Sequence, residues 1–160
     1  MTDCPLNMPR SKGFSLCLSE KLINWALARS LSAFPVESGC CAQSFFAGGR
    51  YSVHETGMES VLNPRHADVL VLTGALSNKI VPVLRMIYDQ MPEQKFVMAL
   101  GACACNGGIF YKNYAVLSDV SSVFPVDVYV PGCPPSLQAF QKGVLLLREK
   151  IENRVARTAK

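Results

Sequence analysis

Two adjacent cysteines, Cys40 and Cys41, stand in Glu37-Ser-Gly-Cys-Cys-Ala42, and more cysteines follow in glycine-rich turns. One turn reads Gly101-Ala-Cys-Ala-Cys-Asn-Gly-Gly108, the other Pro131-Gly-Cys-Pro-Pro135. A structural cysteine usually hides among apolar side chains. In a turn the backbone can instead bend around an object and aim N–H groups at it. Thiolates are soft anionic ligands, and four of them gathered from turns suit an iron–sulfur cluster. Cys133 is followed by proline, a common ending for a cluster-ligand run. Cys103 follows a strand-like run, and its Gly and Ala neighbours let the chain approach an inorganic core. Consecutive side chains of an extended backbone point apart, so Cys40 and Cys41 can serve one centre only through an unusual local conformation. Cys105 competes with Cys103 as third ligand; nearness to the strand end favours Cys103. Cys4 and Cys17 lie in an arm without a turn motif and read as bystanders. Structural zinc is the alternative metal, but the paired Cys-x-x-Cys knuckles it often uses are lacking. Neither GxGxxG nor a Walker motif offers a phosphate cradle.

Other polar residues are weighed against packing. His54 is close in sequence to the cysteine pair and could tune a centre or relay protons; a packing or surface role is the plainer reading. His66 reads as local structure, while Arg65 beside it either pairs with an acid or faces the centre. Asp68 and Asp127 flank or interrupt apolar strands, and Asp127 must find a partner if buried. Its choices are turn amides near the sulfurs or a structural bond. Tyr111 reads as packing, with approach to a partner as the alternative. No nucleophile–base pair and no carboxylate dyad stands out, so the chain is expected to catalyse nothing alone.

The elements that must position these cysteines follow an α/β rhythm. Asp68–Thr73, Phe96–Leu100 and Val126–Val130 are short apolar runs, and each ends in a glycine turn, at Gly74, Gly101 and Gly132. Between and after them run helical patterns: Ser77 to about Met91, with Ile80, Val81, Val83, Leu84 and Ile87 inward, and Pro135 to about Arg154. Pro82 makes the first of these start late or kink. Leu22 to Leu31 reads as a further helix, either covering the core or meeting an interface, and Pro35 bars its continuation. Apolar strands alternating with helices mean a parallel sheet covered on both faces. Ligands of such sheets sit outside the carboxyl ends of the strands, which puts Cys103 and Cys133 on one edge. The chain divides into an irregular arm at 1–18, a single α/β domain at 19–154, and a frayed tail at 155–160.

Composition narrows the classes. With 160 residues one domain can bury a sizeable core. Only 18% of residues are charged, below the usual quarter, which suits either a protein partner or simply a well-packed α/β domain. The net charge of +4 comes without a dense basic stretch, so nucleic-acid binding has no footprint. Seven cysteines with no signal-like N-terminus point to a reducing compartment and to metal or redox work. No apolar run reaches the roughly 18 residues that cross a bilayer.

The order of motifs resembles a known family. Cys-Cys-Ala is followed by Asn63-Pro-Arg-His-Ala-Asp68, Tyr88-Asp-Gln-Met-Pro-Glu93, Gly101-Ala-Cys103, Gly107-Gly108 and Pro125-Val-Asp-Val-Tyr-Val-Pro-Gly-Cys-Pro-Pro135. This is similar to the small iron–sulfur subunit of respiratory complex I, over roughly residues 21–151. The resemblance implies a flavodoxin-like domain, with one 4Fe–4S cluster on Cys40, Cys41, Cys103 and Cys133 at the carboxyl edge of the sheet. It implies one-electron transfer to quinone in a pocket shared with a larger subunit, with Ala42, Phe45 and Phe46 nearby. Quinone reduction there drives proton translocation in a membrane arm. Other iron–sulfur subunits are expected partners. The expected location is the cytoplasmic face of a prokaryotic inner membrane, where partner subunits hold the chain peripherally.

The sequence departs from that family at two places. Ser44, Phe45 and Phe46 stand where Glu and two Met are usual, and Val61 stands where Arg is usual. Loss of a cation beside the cluster lowers its potential, because positive charge favours the more negative reduced form. The stretch from Gly101 to Gly108, with its extra Cys105, also resembles small subunits of membrane-bound nickel–iron hydrogenases, the second reading. A non-redox assembly protein with a structural metal is the reading from outside redox chemistry.

Overall fold

The computed structural model describes residues 22, 24–46 and 56–153. The expected arm, the tail, His54, Cys4 and Cys17 lie outside the described residues. Five strands form one all-parallel sheet: β1 (Leu31–Val36), β2 (Met58–Ser60), β3 (Val69–Thr73), β4 (Phe96–Leu100) and β5 (Val128–Val130). Their spatial order is β2-β1-β3-β4-β5, the flavodoxin-like order. The helices are α1 (Gly39–Phe45), α2 (Val81–Gln90), α3 (Ala102–Asn106) and α4 (Leu137–Glu152).

The apolar runs become central strands because both of their faces are covered. In β3, Val69 and Val71 join one core, while Leu70 and Leu72 join the other. The first core is closed by α4 through Phe140, Val144, Leu147 and Ile151, and by Ala28 of the helical segment 24–29. The second is closed by Leu84 of α2 together with Val120 and Phe124. Phe140 is fully buried and stacks on Phe45 with ring centroids 4.9 Å apart. Phe140→Ala is expected to lower stability by about 3–5 kcal/mol, read as a fall in the urea midpoint.

β1 and β2 were not expected. Instead of helix continuing to Leu31, Ser30 ends it, its N–H and hydroxyl both reaching the Ala26 carbonyl at 3.1 Å, and a strand begins at once. Pro35 lies inside that strand, yet costs it little. Ala33 accepts from Val61 on the β2 side, and Pro35 shares that orientation. β2 ends at Ser60, so no strand residue faces the missing N–H. β2 itself has only Met58 buried, too short and polar to show a period.

α2 starts at Val81 with Pro82 in its first turn, not at Ser77. Proline suits that position because its N–H is not needed there. Ser77 instead pairs with Val116 in an antiparallel bridge. Ile80 and Val83, expected inward, are exposed, and so is Leu145 of α4.

Candidate metal centre

All three cysteine-bearing turns leave the carboxyl ends of strands. Cys40 and Cys41 follow β1, Cys103 follows β4, and Cys133 follows β5. The adjacent pair does not lie in extended backbone. It opens α1, and the positive φ of 74° at this turn falls on Gly39 rather than on either cysteine. The unusual conformation is thus carried by a residue without a side chain.

Hydrogen bonds tie the three turns to one another. Gly101 N–H donates to Val130 O and Ala102 N–H to Gly132 O, each at 2.8 Å, joining the Cys103 turn to the Cys133 turn. On the other side Thr73, fully buried at the end of β3, donates its hydroxyl to Val36 O at 2.6 Å and accepts from Ser38 N–H at 3.2 Å. The Ser38 hydroxyl returns a bond to Thr73 O at 2.5 Å. Sequence reading passed over Thr73; the only signal was a hydroxyl residue closing an otherwise aliphatic strand. Thr73→Val would strip partners from two backbone groups beside the cysteine pair. It is expected to lower stability by about 1–3 kcal/mol and to reduce iron content, measured together by urea denaturation and metal analysis.

Cys41 is buried, whereas Cys40 and Cys133 are exposed and Cys103 is half-buried. The Cys41 thiol is pushed up to about 12, first by burial, then by the charge of Cys40 and a hydrogen bond with it, then by the charges of Cys133 and Cys103. Three thiols, two of them from other turns, therefore lie within electrostatic reach of Cys41. As thiolates they repel, and a cationic centre among them relieves that repulsion. Room is made by glycine. A Cβ on Gly101 would lie 2.5 Å from Cys41 Sγ, and one on Gly108 would lie 3.1 Å from Cys103 Sγ.

A single zinc ion would draw four sulfurs to about 3.8 Å from one another, given bonds of about 2.3 Å. Among the described residues no three Cys, His, Asp or Glu side chains gather closely enough for one ion. A cluster, in which each thiolate binds a different iron, spreads its ligands wider. Four soft thiolates are the donor set that iron–sulfur clusters take.

Cys105 points elsewhere. Its sulfur lies 3.8 Å from both Ala99 O and Val130 O, and burial pushes its thiol up. The other polar candidates sit at the opposite edge of the sheet. Asp127 precedes β5; it accepts from Val97 N–H at 3.1 Å and pairs with Lys150 at 2.9 Å. Its bonds are structural, not to turn amides near the sulfurs. Asp68 precedes β3 and accepts from the Ser32 hydroxyl at 2.6 Å. Arg65 and His66 form an exposed 3-10 turn before β3, away from the cysteines. Ala42 and Phe45 are 4% and 3% exposed and belong to the interior, and Phe46 is half-buried against the first core. Val61 packs against the second core. Tyr111, expected to pack, is exposed.

No helix among the described residues is long and apolar enough to cross a membrane. The chain is similar to one in the membrane-bound sulfane sulfur reductase, an archaeal respiratory membrane complex. The two are 33% identical and superpose with a TM-score of 0.77, covering 86% of this chain and 78% of that one. Residues 35–147, which hold all four clustered cysteines, match the model of the NADH ubiquinone oxidoreductase 20 kDa subunit. On the fold, the cysteine-bearing turns and this match, the chain belongs to the NADH ubiquinone oxidoreductase 20 kDa subunit family.

Proposed function

We propose that this chain is the electron-carrying subunit of a membrane-bound respiratory oxidoreductase, with one 4Fe–4S cluster held by Cys40, Cys41, Cys103 and Cys133. The observation that carries the reading is that the three cysteine-bearing turns leave the carboxyl ends of β1, β4 and β5 and are held together there, the Cys103 turn bonded to the Cys133 turn and Gly101 set against Cys41 Sγ. A 4Fe–4S cluster supplies one-electron exchange. The chain's own residues hold the thiolates at fixed positions, and buried Cys41 places one side of the centre against the protein interior. Exposed Cys40 and Cys133 place another side where a partner can reach it.

The acceptor in this proposal is quinone, bound at the seam with a larger subunit, and its reduction is coupled to proton translocation in membrane-arm subunits. The chain itself is peripheral, held on the cytoplasmic face by its partners. Of the three quinone-proximal residues, Phe46 is the one with an accessible surface, so its ring would make the contact while Ala42 and Phe45 support it. A second reading is favoured by Phe45, whose ring is spent on Phe140: the acceptor is then a metal site in the large subunit, as in a nickel–iron hydrogenase-like complex. The test is purification of the intact assembly in mild detergent. About four irons per chain and a paramagnetic reduced state are expected, with electrons passing to added quinone. A diamagnetic centre with one metal ion would sink the electron-carrying role. Two Cys-x-x-Cys pairs in the large subunit, with no quinone reduction, would favour the second acceptor.

A further inference from the structure

Ser38 stands immediately before α1, where a serine hydroxyl ordinarily accepts from the first N–H groups of its own helix. It makes no such bond. Its hydroxyl instead donates to Thr73 O at 2.5 Å, and its N–H donates to Thr73 Oγ1 at 3.2 Å. Thr73 answers with its own hydroxyl, 2.6 Å from Val36 O and 3.1 Å from Ser38 O. Side chains thus lock the ends of β1 and β3 from both sides. Gly74 permits the approach: it adopts φ 68°, and a Cβ there would overlap Ser38 O.

The lock bears on one half of the centre. Cys103 and Cys133 sit in turns bonded to each other, through Gly101 to Val130 and Ala102 to Gly132. Cys40 and Cys41 stand on α1, and Ser38 ties the start of that helix to β3. The halves meet where a Cβ on Gly101 would lie 2.5 Å from Cys41 Sγ. Cys41 is only 3% exposed, so reagents reach it when its turn opens locally. We infer that Ser38 is a positioning residue: its hydroxyl, turned away from its own helix, fixes where the Cys40–Cys41 half of the centre stands against the Cys103–Cys133 half. For the loaded chain this rests on the cluster proposed above; the burial of Cys41 does not.

The test compares Ser38→Ala, Ser38→Thr and Ile151→Val in the full chain. Ile151→Val controls for stability alone. Ile151 is 1% exposed near the end of α4, beside Lys150, which pairs with Asp127 at the opposite edge of the sheet. Losing one buried methylene there costs about as much as losing one hydrogen bond. In the unloaded chain, N-ethylmaleimide is expected to label Cys41 about tenfold faster in Ser38→Ala. The rate is expected to be unaltered in Ile151→Val and restored in Ser38→Thr, which keeps the hydroxyl. Labelling of Cys103 and Cys133 is expected to stay constant throughout. An unchanged Cys41 rate in Ser38→Ala overturns the inference, as does an equal rise in Ile151→Val or at Cys133. In the loaded assembly the g-values of the reduced-state EPR signal are expected to shift in Ser38→Ala and to return in Ser38→Thr. Identical g-values in all three variants also overturn the inference. Absence of the signal already from the unaltered assembly would refute the electron-carrying role and leave the labelling to judge Ser38.

Discussion

Cys133→Ala is expected to abolish the reduced-state EPR signal and to lower iron content several-fold, whereas Cys105→Ala leaves both intact. The two residues are both near the ends of neighbouring strands, yet their surroundings differ. Cys133 is exposed in the turn after β5 and contributes to the charge felt by Cys41. Cys105 sets its sulfur 3.8 Å from the carbonyls of both Ala99 and Val130, and it is not among the thiols whose charge reaches Cys41. An unchanged signal in Cys133→Ala would refute the ligand set, and loss of the signal in Cys105→Ala would show that the wrong cysteine of the α3 turn was chosen. Both variants should be compared in the intact assembly, with iron and acid-labile sulfide measured beside the spectrum.

Gly101→Ala is expected to be the most damaging substitution that leaves every sulfur in place. Gly101 adopts φ 93° and ψ 157°, a region open essentially to glycine alone, and a side chain there costs of order 1–3 kcal/mol in backbone strain. The added methyl would also meet Cys41 Sγ at 2.5 Å, and overpacking of that kind costs about 1–3 kcal/mol. Together the loss is about 2–6 kcal/mol, measured as a fall in the urea midpoint. Iron content should fall further than stability alone requires, because the methyl displaces a proposed ligand. A variant with normal iron and a normal midpoint would show that Cys41 does not lie against this glycine.

How much of this was legible beforehand depends on what each segment must bury. β3 and β4 announce themselves because both faces are covered, so every residue is apolar. β2 gives no warning, since one buried methionine in three residues has no period. β1 was hidden by the helix before it: Leu31 continues the apolar rhythm of residues 22–29, and only the pairing partners in β2 and β3 decide that it is strand. The cysteines were readable as a group because sulfur in glycine turns has few structural uses. The mode by which Cys40 and Cys41 share a centre was not, since it depends on Gly39 opening a short helix. Asp127 and Arg65 kept two readings each for another reason: a residue near an apolar strand can sit at either end, and only chain direction separates the two edges. The exposure of Tyr111 and Val83 could not be read from residue type, because both are amphipathic or apolar enough to suit a core.

The thiol-bearing turns are far apart in the chain, with Cys41 and Cys133 separated by β3, β4 and most of the domain between them. The site therefore does not exist in any nascent fragment that lacks β5. If the proposed cluster is held there, the last strand must dock before iron and sulfide could be received. Loading of the proposed cluster would therefore follow docking of the last strand, with the five described cysteines free until then.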